Sequence, residues 1–299
     1  MHDVEWQNID PTRYPDLWVI VGETASGKSE LALRLAERWN GEIVSVDSVQ
    51  VYRHFDIGSG KPGADEIARV RHHLVDARAP DDPLDAGSFA AIAQVAIEDI
   101  RARGRRPIVC GGTFLWVKAL VFGLAESAPA NAEVRARHRD LERTNGRERL
   151  HEMLRAVDPV AAATLAPNDF VRVSRALEVF ELTGQPQSAW HRAHAFNKVR
   201  YEHNLLRVRR TQDELDARIR QRAEDWLANG WVEEVQQLVG RGYGETRAMA
   251  SVGYREVKAF VDGVLPEADL LSRVVQKTRI FARRQRTWLR DLDITCTVV

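Results

Sequence analysis

The stretch that most constrains this chain is GETASGKS, which runs from Gly22 to Ser29. It matches the phosphate-binding pattern G-x-x-x-x-G-K-[ST] in full. An apolar run, LWVIVG (17–22), precedes it, and a segment with leucines and alanines at helical spacing follows it. In such a strand–turn–helix unit, backbone amides and the helix N-terminus converge on an anion, and Lys28 adds a full positive charge. The sequence therefore predicts a phosphate site within an α/β fold.

Further apolar segments alternate with helical patterns along the chain. The predicted strands are EIVSVD (42–47), HHLVD (72–76), RPIVCGGT (106–113) and HNLLRV (203–208). Strands that alternate with helices indicate βαβ units and a parallel sheet. We therefore predict an α/β fold with a P-loop NTPase-like parallel sheet core, a mostly α-helical insertion and a helical C-terminal region.

The helical patterns divide the chain into parts. We predict an N-terminal extension at 1–16, a core formed by 17–126 and 198–299 with C-terminal helices, and a helical insertion at 127–197. Within them, Ser88 is the predicted N-cap of a helix over 88–103. Asn168 or Asp169 should cap a second helix, which Gly184 ends.

The charges balance overall but not along the chain. There are 43 basic and 43 acidic side chains among 299 residues, yet residues 273–290 hold seven basic side chains and no acidic one. Such a stretch offers phosphate contacts, although the charge pattern alone is more typical of a solvated face. If the partner is RNA, the affinity should depend strongly on salt. No apolar run is long enough to span a bilayer, and no secretory signal is recognised at the N-terminus. With only two cysteines, we expect a cytoplasmic protein.

The residue patterns alone leave the ligand open. ATP, GTP or a pyrophosphate would each satisfy the loop, and the Ser29 hydroxyl could ligate a phosphate-bound Mg²⁺. Asp47 ends the second predicted strand, at the edge where open α/β sheets place their ligands. Its carboxylate could act as a general base or bind Mg²⁺ through water, or it could simply cap the next turn.

Several segments together resemble the bacterial-type tRNA dimethylallyltransferases, which prenylate N6 of the adenosine 3′ of the anticodon. They occur in the order GETASGKS, DSVQVYRHFDIGSGKP (47–62), RHHLVD (71–76), CGGT (110–113), NDFVRVSRALEVFELTG (168–184), SVGYRE (251–256) and RRQRTWL (283–289). The resemblance covers about 17–290. It implies dimethylallyl diphosphate and the tRNA anticodon stem-loop as substrates, Mg²⁺ as cofactor, and a chain that we expect to act as a monomer.

The resemblance also implies roles for individual residues. Catalytic roles fall to Asp47 as general base, Thr113 and Arg135. Diphosphate binding falls to Gly22, Thr24, Ala25, Ser26, Gly27, Lys28 and Ser29, with Ser29 as the metal ligand. Contact with tRNA falls to Asp47, Ser48, Val49, Gln50, Val171, Arg172, Val173, Ser174, Arg175, Ser251, Val252, Gly253, Tyr254 and Arg255.

Five positions depart from the usual family pattern. Glu23 replaces a proline in the loop, and we expect its charge to weaken diphosphate binding by repulsion. Trp116 stands where a tyrosine is usual, DSVQ replaces DSAQ, and GSGKP replaces GTAKP. Gln50 is a candidate reader of a base edge. Tyr52, Phe114 and Trp116 could stack on bases or line a prenyl pocket, or could be core residues.

Three other functions would fit part of this sequence pattern. An adenylate isopentenyltransferase would use the same chemistry on a free nucleotide, but it would need neither the insertion nor the basic C-terminal helix. A small-molecule kinase would use ATP through the same loop. A non-enzymatic RNA-binding module would bind without forming a product.

Overall fold

The computed structural model describes residues 2–10, 12, 17–125, 128–194, 199–290, 292 and 296–298. The chain forms two compact units. The core unit comprises Met1–Val121 and Arg200–Val299, and the helical unit comprises Phe122–Val199.

The core unit contains a seven-stranded parallel sheet. Its strands are β1 (His2–Val4), β2 (Leu17–Val21), β3 (Gly41–Val46), β4 (His72–His73), β5 (Arg106–Gly111), β6 (His203–Val208) and β7 (Cys296–Val298). The order across the sheet is β1-β7-β6-β2-β5-β3-β4. Strand β2 lies at the centre, so the loop that follows it opens at the middle of the carboxyl edge of the sheet.

The central strands are buried and mostly apolar because helices cover both faces of a parallel sheet. All residues of β2 and β3 are buried, as are all but the first residue of β5. Side chains such as Trp18, Ile20 and Ile108 pack against the leucines of the first helix. This packing fixes the strand ends, which carry the polar side chains described below.

Thirteen α-helices occur in the described residues. Those of the core unit are α1 (Lys28–Arg38), α2 (Ala64–Arg69), α3 (Ala86–Ala102), α4 (Phe114–Phe122, whose last residue falls in the helical unit), α10 (Gln212–Ala228), α11 (Trp231–Gly240), α12 (Tyr254–Val261) and α13 (Glu267–Arg290). Those of the helical unit are α5 (Ala132–Asn145), α6 (Arg147–Val157), α7 (Pro159–Ala162), α8 (Phe170–Thr183) and α9 (Gln187–His194). None of the described helices is long and apolar enough to cross a membrane.

Three local predictions need correction. The N-cap of α3 is Asp85, which accepts a hydrogen bond from the Ser88 amide, so the helix begins before the predicted cap. The strand predicted over 72–76 is limited to two residues, because Leu74 adopts a positive φ of 63° that leaves the extended conformation. The N-terminal extension contains β1, which pairs with β7 at the sheet edge.

The helical unit has its own small core. Leu150 and Leu154 of α6 pack against Val173, Ala176 and Leu177 of α8. Helix α8 begins at the predicted cap, where Asp169 accepts from the Arg172 amide, and it ends at Gly184 in the left-handed conformation. Both ends therefore agree with the sequence prediction.

Candidate active site

The phosphate loop connects β2 to α1 by a tight turn. The Ser26 amide donates to the Glu23 carbonyl at 3.1 Å, and Gly27 has a φ of 95°, which an L-residue rarely adopts. Lys28, the first residue of α1, reaches back to the Glu23 carbonyl at 3.4 Å. Burial lowers the pKa of the Lys28 amine, while Cys110 and Asp47 oppose this shift. A buried lysine beside loop amides favours an anionic ligand.

Asp47 and Thr113 follow the adjacent strands β3 and β5 at the carboxyl edge. Oδ1 of Asp47 accepts from the Val49 amide at 2.8 Å and from the Gln50 amide at 3.2 Å. Thr113 Oγ1 accepts from the Ser48 amide at 3.1 Å, so the two predicted catalytic side chains are joined through one backbone turn. The Asp47 oxygen thus caps the turn, and this fixes the orientation of the carboxylate.

Two adjoining cavities open around these residues. One has a volume of about 520 Å³ and the other about 480 Å³. Residues that line both are Thr24, Lys28, Asp47, Ser59, Arg222 and Trp226. Thr113, Gly112 and part of α13 line only the larger cavity, and Gly27, Ser29 and Gln50 line only the smaller one. The phosphate loop and the candidate base therefore face the same space.

Arg222 is a site residue that the sequence did not single out. It projects from α10, its guanidinium donates to Thr24 Oγ1 at 2.6 Å, and it lies 4.5 Å above the Trp226 ring. Burial lowers the pKa of Arg222 to about 10, and the charge of Asp47 opposes this shift. Only the fold brings this arginine to a loop nearly 200 positions earlier in the chain.

The DSVQ segment divides between cavity and scaffold. Ser48 and Val49 line the larger cavity. The Gln50 amide is engaged at both ends, because Oε1 accepts from Ser45 Oγ at 2.9 Å and Nε2 donates to the Gly60 carbonyl at 2.8 Å. In the structure Gln50 therefore braces the following loop, and its predicted reading of a base edge stays a prediction.

The SVGYR segment divides in the same way. Ser251, Val252 and Arg255 line the larger cavity. Tyr254 is fully buried, and its hydroxyl donates to Glu234 Oε1 at 2.6 Å. Burial raises the pKa of Tyr254. The side chain of Tyr254 therefore packs inside the core unit, and the predicted contact of this residue with tRNA stays a prediction.

Gly253 and Gly58 allow Trp231 to pack beneath this segment. A Cβ built on Gly58 would lie 1.9 Å from the Trp231 indole nitrogen, and one on Gly253 would lie 2.6 Å from the ring. Gly253 is therefore buried against the tryptophan, and its predicted contact with tRNA stays a prediction.

Arg135 and Arg175 of the helical unit share one buried carboxylate. Arg135 Nε donates to Glu178 Oε1 at 2.9 Å, and Arg175 also donates to Glu178. The two arginines oppose the effect of burial, and the pKa of Glu178 lies below its ordinary value. These side chains are thus organised by an ion network within their own unit.

The RxSR segment on α8 presents only some of its side chains. Val171 and Arg172 are exposed, whereas Val173 and Ser174 are buried. The Ser174 hydroxyl lies 2.9 Å from His138 Nδ1. Val173 and Ser174 therefore pack in the core of the helical unit, and the tRNA contacts predicted for this segment stay predictions.

Three aromatic candidates are core residues. Tyr52, Phe114 and Trp116 are each at most 3 % exposed. Trp116 stacks on Phe89 with ring centroids 4.4 Å apart, and the Tyr52 hydroxyl accepts from the Leu84 amide. Of the two alternatives, the structure supports packing.

The donor set around the loop consists of oxygens. Ser29, Ser45 and Asp47 line the smaller cavity. Across the described ranges, no cluster of three His, Cys, Asp or Glu side chains could hold a metal by itself. Mg²⁺ fits such a site, because it uses one or two protein oxygens and completes its shell with phosphate oxygens and water.

The chain resembles characterised proteins over nearly its whole length. Residues 50–292 match the family model described as IPP transferase. It is 58% identical over 286 residues to a tRNA dimethylallyltransferase of Sorangium cellulosum, covering 96% of this chain and 91% of the relative. It is 45% identical over 276 residues to a tRNA dimethylallyltransferase of Myxococcus xanthus, covering 92% and 90%.

Solved structures agree with this likeness. A tRNA isopentenylpyrophosphate transferase of Bacillus halodurans superimposes with a TM-score of 0.68 at 33% identity, covering 95% of this chain and 89% of that one. A eukaryotic dimethylallyltransferase acting on tRNA superimposes with a TM-score of 0.78 at 26% identity, covering 94% and 73%.

Proposed function

Because this chain belongs to the IPP transferase family, as a tRNA-modifying prenyltransferase, we propose that its cavities bind dimethylallyl diphosphate and an adenosine of tRNA. The dimethylallyl group passes to N6 of the adenosine on the 3′ side of the anticodon, and diphosphate leaves. The observation that carries this proposal is that the phosphate loop, Asp47 and Thr113 line the same space. The free-nucleotide transferase and the kinase are not favoured, since the relatives are tRNA dimethylallyltransferases.

The leaving group needs positive charge. As the carbon–oxygen bond of the substrate breaks, negative charge builds on the diphosphate, which the loop amides and Lys28 stabilise. Arg222 adds a second, partly buried cation beside Thr24. Because both cations are partly shielded from water, their interaction with a phosphate is stronger than at the surface.

Mg²⁺ is part of the proposal. The Ser29 hydroxyl would ligate it, and Asp47 would reach it through water. When bound, the ion adds Lewis-acid stabilisation to the diphosphate. The residues of this chain bind the substrate, exclude water and remove the proton.

The nucleophile needs a positioned base. An exocyclic adenine amine is a poor nucleophile, and its proton must leave as the nitrogen–carbon bond forms. Asp47 is held by the Val49 and Gln50 amides, so its carboxylate is fixed to accept that proton. Thr113 lies beside Asp47. Its hydroxyl can donate a hydrogen bond to the adenine or accept one from it.

The larger cavity is the proposed binding site for the tRNA loop. Arg247, Arg255 and Arg284 line it together with Phe281, whose ring is 37% exposed. The target adenosine must leave its stack to enter, as in other enzymes that modify bases. A cationic and partly aromatic rim suits the phosphates and bases of a single-stranded loop.

Transfer of an isotopic label tests this function directly. The purified full chain is incubated with Mg²⁺ and dimethylallyl diphosphate labelled in the prenyl group. Three acceptors are offered, namely unmodified tRNA, the same tRNA with purine replacing the target adenine, and adenosine monophosphate. We expect label in the first acceptor only. Label in the free nucleotide would favour the competing transferase, and label in the purine-substituted tRNA would refute the N6 assignment.

A further inference from the structure

Glu23 lies within the phosphate loop, yet its carboxylate faces away from bulk solvent. The side chain is 4 % exposed, and Oε1 accepts from Arg286 Nε at 3.0 Å and from Arg207 at 3.2 Å. Two guanidinium groups therefore compensate the charge of Glu23, which was expected to repel the diphosphate.

The two arginines come from different elements. Arg207 is in β6, directly opposite Val21 at the end of β2. Arg286 is in α13 and also donates to Gln212 Oε1 at 2.9 Å, at the start of α10. Through Glu23, the loop is thus tied to a strand and to the C-terminal helix.

The residue next to Arg286 makes a second tie to the loop. Gln285 Oε1 accepts from the Thr24 amide at 2.8 Å, and Gln285 Nε2 donates to the Gly112 carbonyl at 3.1 Å. A Cβ on Gly112 would lie 2.6 Å from that nitrogen, so a side chain at this position would displace the amide. Consecutive residues of α13 therefore bind consecutive residues of the loop.

We propose that Glu23 is a positioning residue for the diphosphate site, acting through a loop anchor formed by Glu23, Arg207, Gln285 and Arg286. The inference rests on the proposed function of the loop as a diphosphate site. The anchor fixes the first half of the loop, so that its amides are oriented before the ligand arrives. Preorganised donors stabilise an anion more than donors that must reorient.

The anchor and simple repulsion predict opposite results for one variant. Glu23→Gln keeps the shape of the side chain and removes its negative charge. If repulsion dominated, loss of the charge would tighten the binding of an anion. If anchoring dominates, the two guanidinium groups lose their ionic partner, the loop loosens, and anion binding weakens.

The experiment measures the Kd of inorganic pyrophosphate with Mg²⁺ by calorimetry on the full chain. The variants are Glu23→Gln, Arg286→Gln and the double variant. We expect each single change to weaken binding roughly ten-fold, and the double variant to lie within about two-fold of the weaker single one, because the two residues act as a pair. The KM for dimethylallyl diphosphate should rise in parallel, with kcat at saturation and the KM for tRNA little changed.

Glu37→Gln is the matched control, because Glu37 forms a two-point pair with Arg69 away from the cavities. It should leave the Kd unchanged. An unchanged or tighter Kd in Glu23→Gln would overturn the inference, as would additive effects in the double variant. If Glu23→Gln does not fold, the Kd of Arg286→Gln for pyrophosphate tests the inference instead, because this variant alters a partly exposed side chain. Failure of the unaltered chain to bind pyrophosphate would instead refute the proposed function.

Discussion

Replacing Asp47 by asparagine separates the two tasks that this side chain combines. In the structure, Oδ1 accepts from the Val49 and Gln50 amides, and the carboxylate also lines both cavities. Asparagine retains an oxygen for the two amides but is not a base. We therefore expect Asp47→Asn to fold normally and to bind tRNA nearly as well, while its turnover collapses.

The expected loss follows from the role of a general base. Positioned proton transfer contributes about 10²- to 10⁴-fold to a rate, so kcat should fall by that factor. Asp47→Ala should lose the same activity and also the cap, which adds a destabilisation of about 1 kcal/mol. The two variants should therefore share a low kcat and differ in Tm.

The assay is single-turnover transfer from labelled dimethylallyl diphosphate to saturating tRNA, together with a gel shift for tRNA affinity. Asp82→Asn serves as control, because Asp82 is exposed and pairs with Arg78 outside the cavities. Turnover of Asp47→Asn within a few-fold of the unaltered chain would refute the assignment of the base. So would a loss of tRNA binding that accounts for the whole effect.

Three further predictions follow from buried charges. Arg222→Ala removes a charged hydrogen bond to Thr24, which contributes about 1.5–3 kcal/mol. The KM for dimethylallyl diphosphate should therefore rise roughly ten- to hundred-fold in steady-state assays. An unchanged KM would contradict the role of Arg222 in diphosphate binding. Glu178→Gln leaves two arginines without their shared buried carboxylate. It should lower the free energy of unfolding by about 3 kcal/mol, which thermal unfolding would detect as a lower Tm. An unchanged Tm would show that the network does not stabilise the fold. The hydrogen bond from Arg103 lowers the pKa of Glu42 to about 2 from its ordinary 4.5, so the stability it contributes is complete above about pH 4.5 and is lost as the pH falls to about 2. Urea unfolding at several pH values should show a shallower acid loss for Glu42→Gln, and identical slopes would contradict the shift.

Local patterns in the sequence predicted much of the fold. The loop pattern and the apolar runs located β2, β3, β5 and β6 because buried parallel strands are continuously apolar. The Asp169 and Gly184 caps defined α8 because each end has its own chemistry. The start of α3 was misplaced because Asp85 and Ser88 are both good caps, and only the observed hydrogen bond distinguishes them.

The candidate site was predictable where its residues are close in sequence. Asp47 and Thr113 end strands, and a strand end can be recognised locally. Arg222 and Gln285 could not be found in this way, because each meets the loop only through the docking of a distant helix. The basic composition of 273–290 suggested an RNA surface, whereas Gln285 and Arg286 of that stretch bind the phosphate loop.

The mass and position of the product test the central claim most directly. The unaltered chain is incubated with unmodified tRNA, Mg²⁺ and dimethylallyl diphosphate, and the tRNA is then digested and mapped by mass spectrometry. We expect a gain of one isopentenyl unit on the adenosine 3′ of the anticodon, with one diphosphate released for each unit transferred. A gain of a phosphoryl group with ATP, a prenyl unit at another position, or no gain at all would contradict the account.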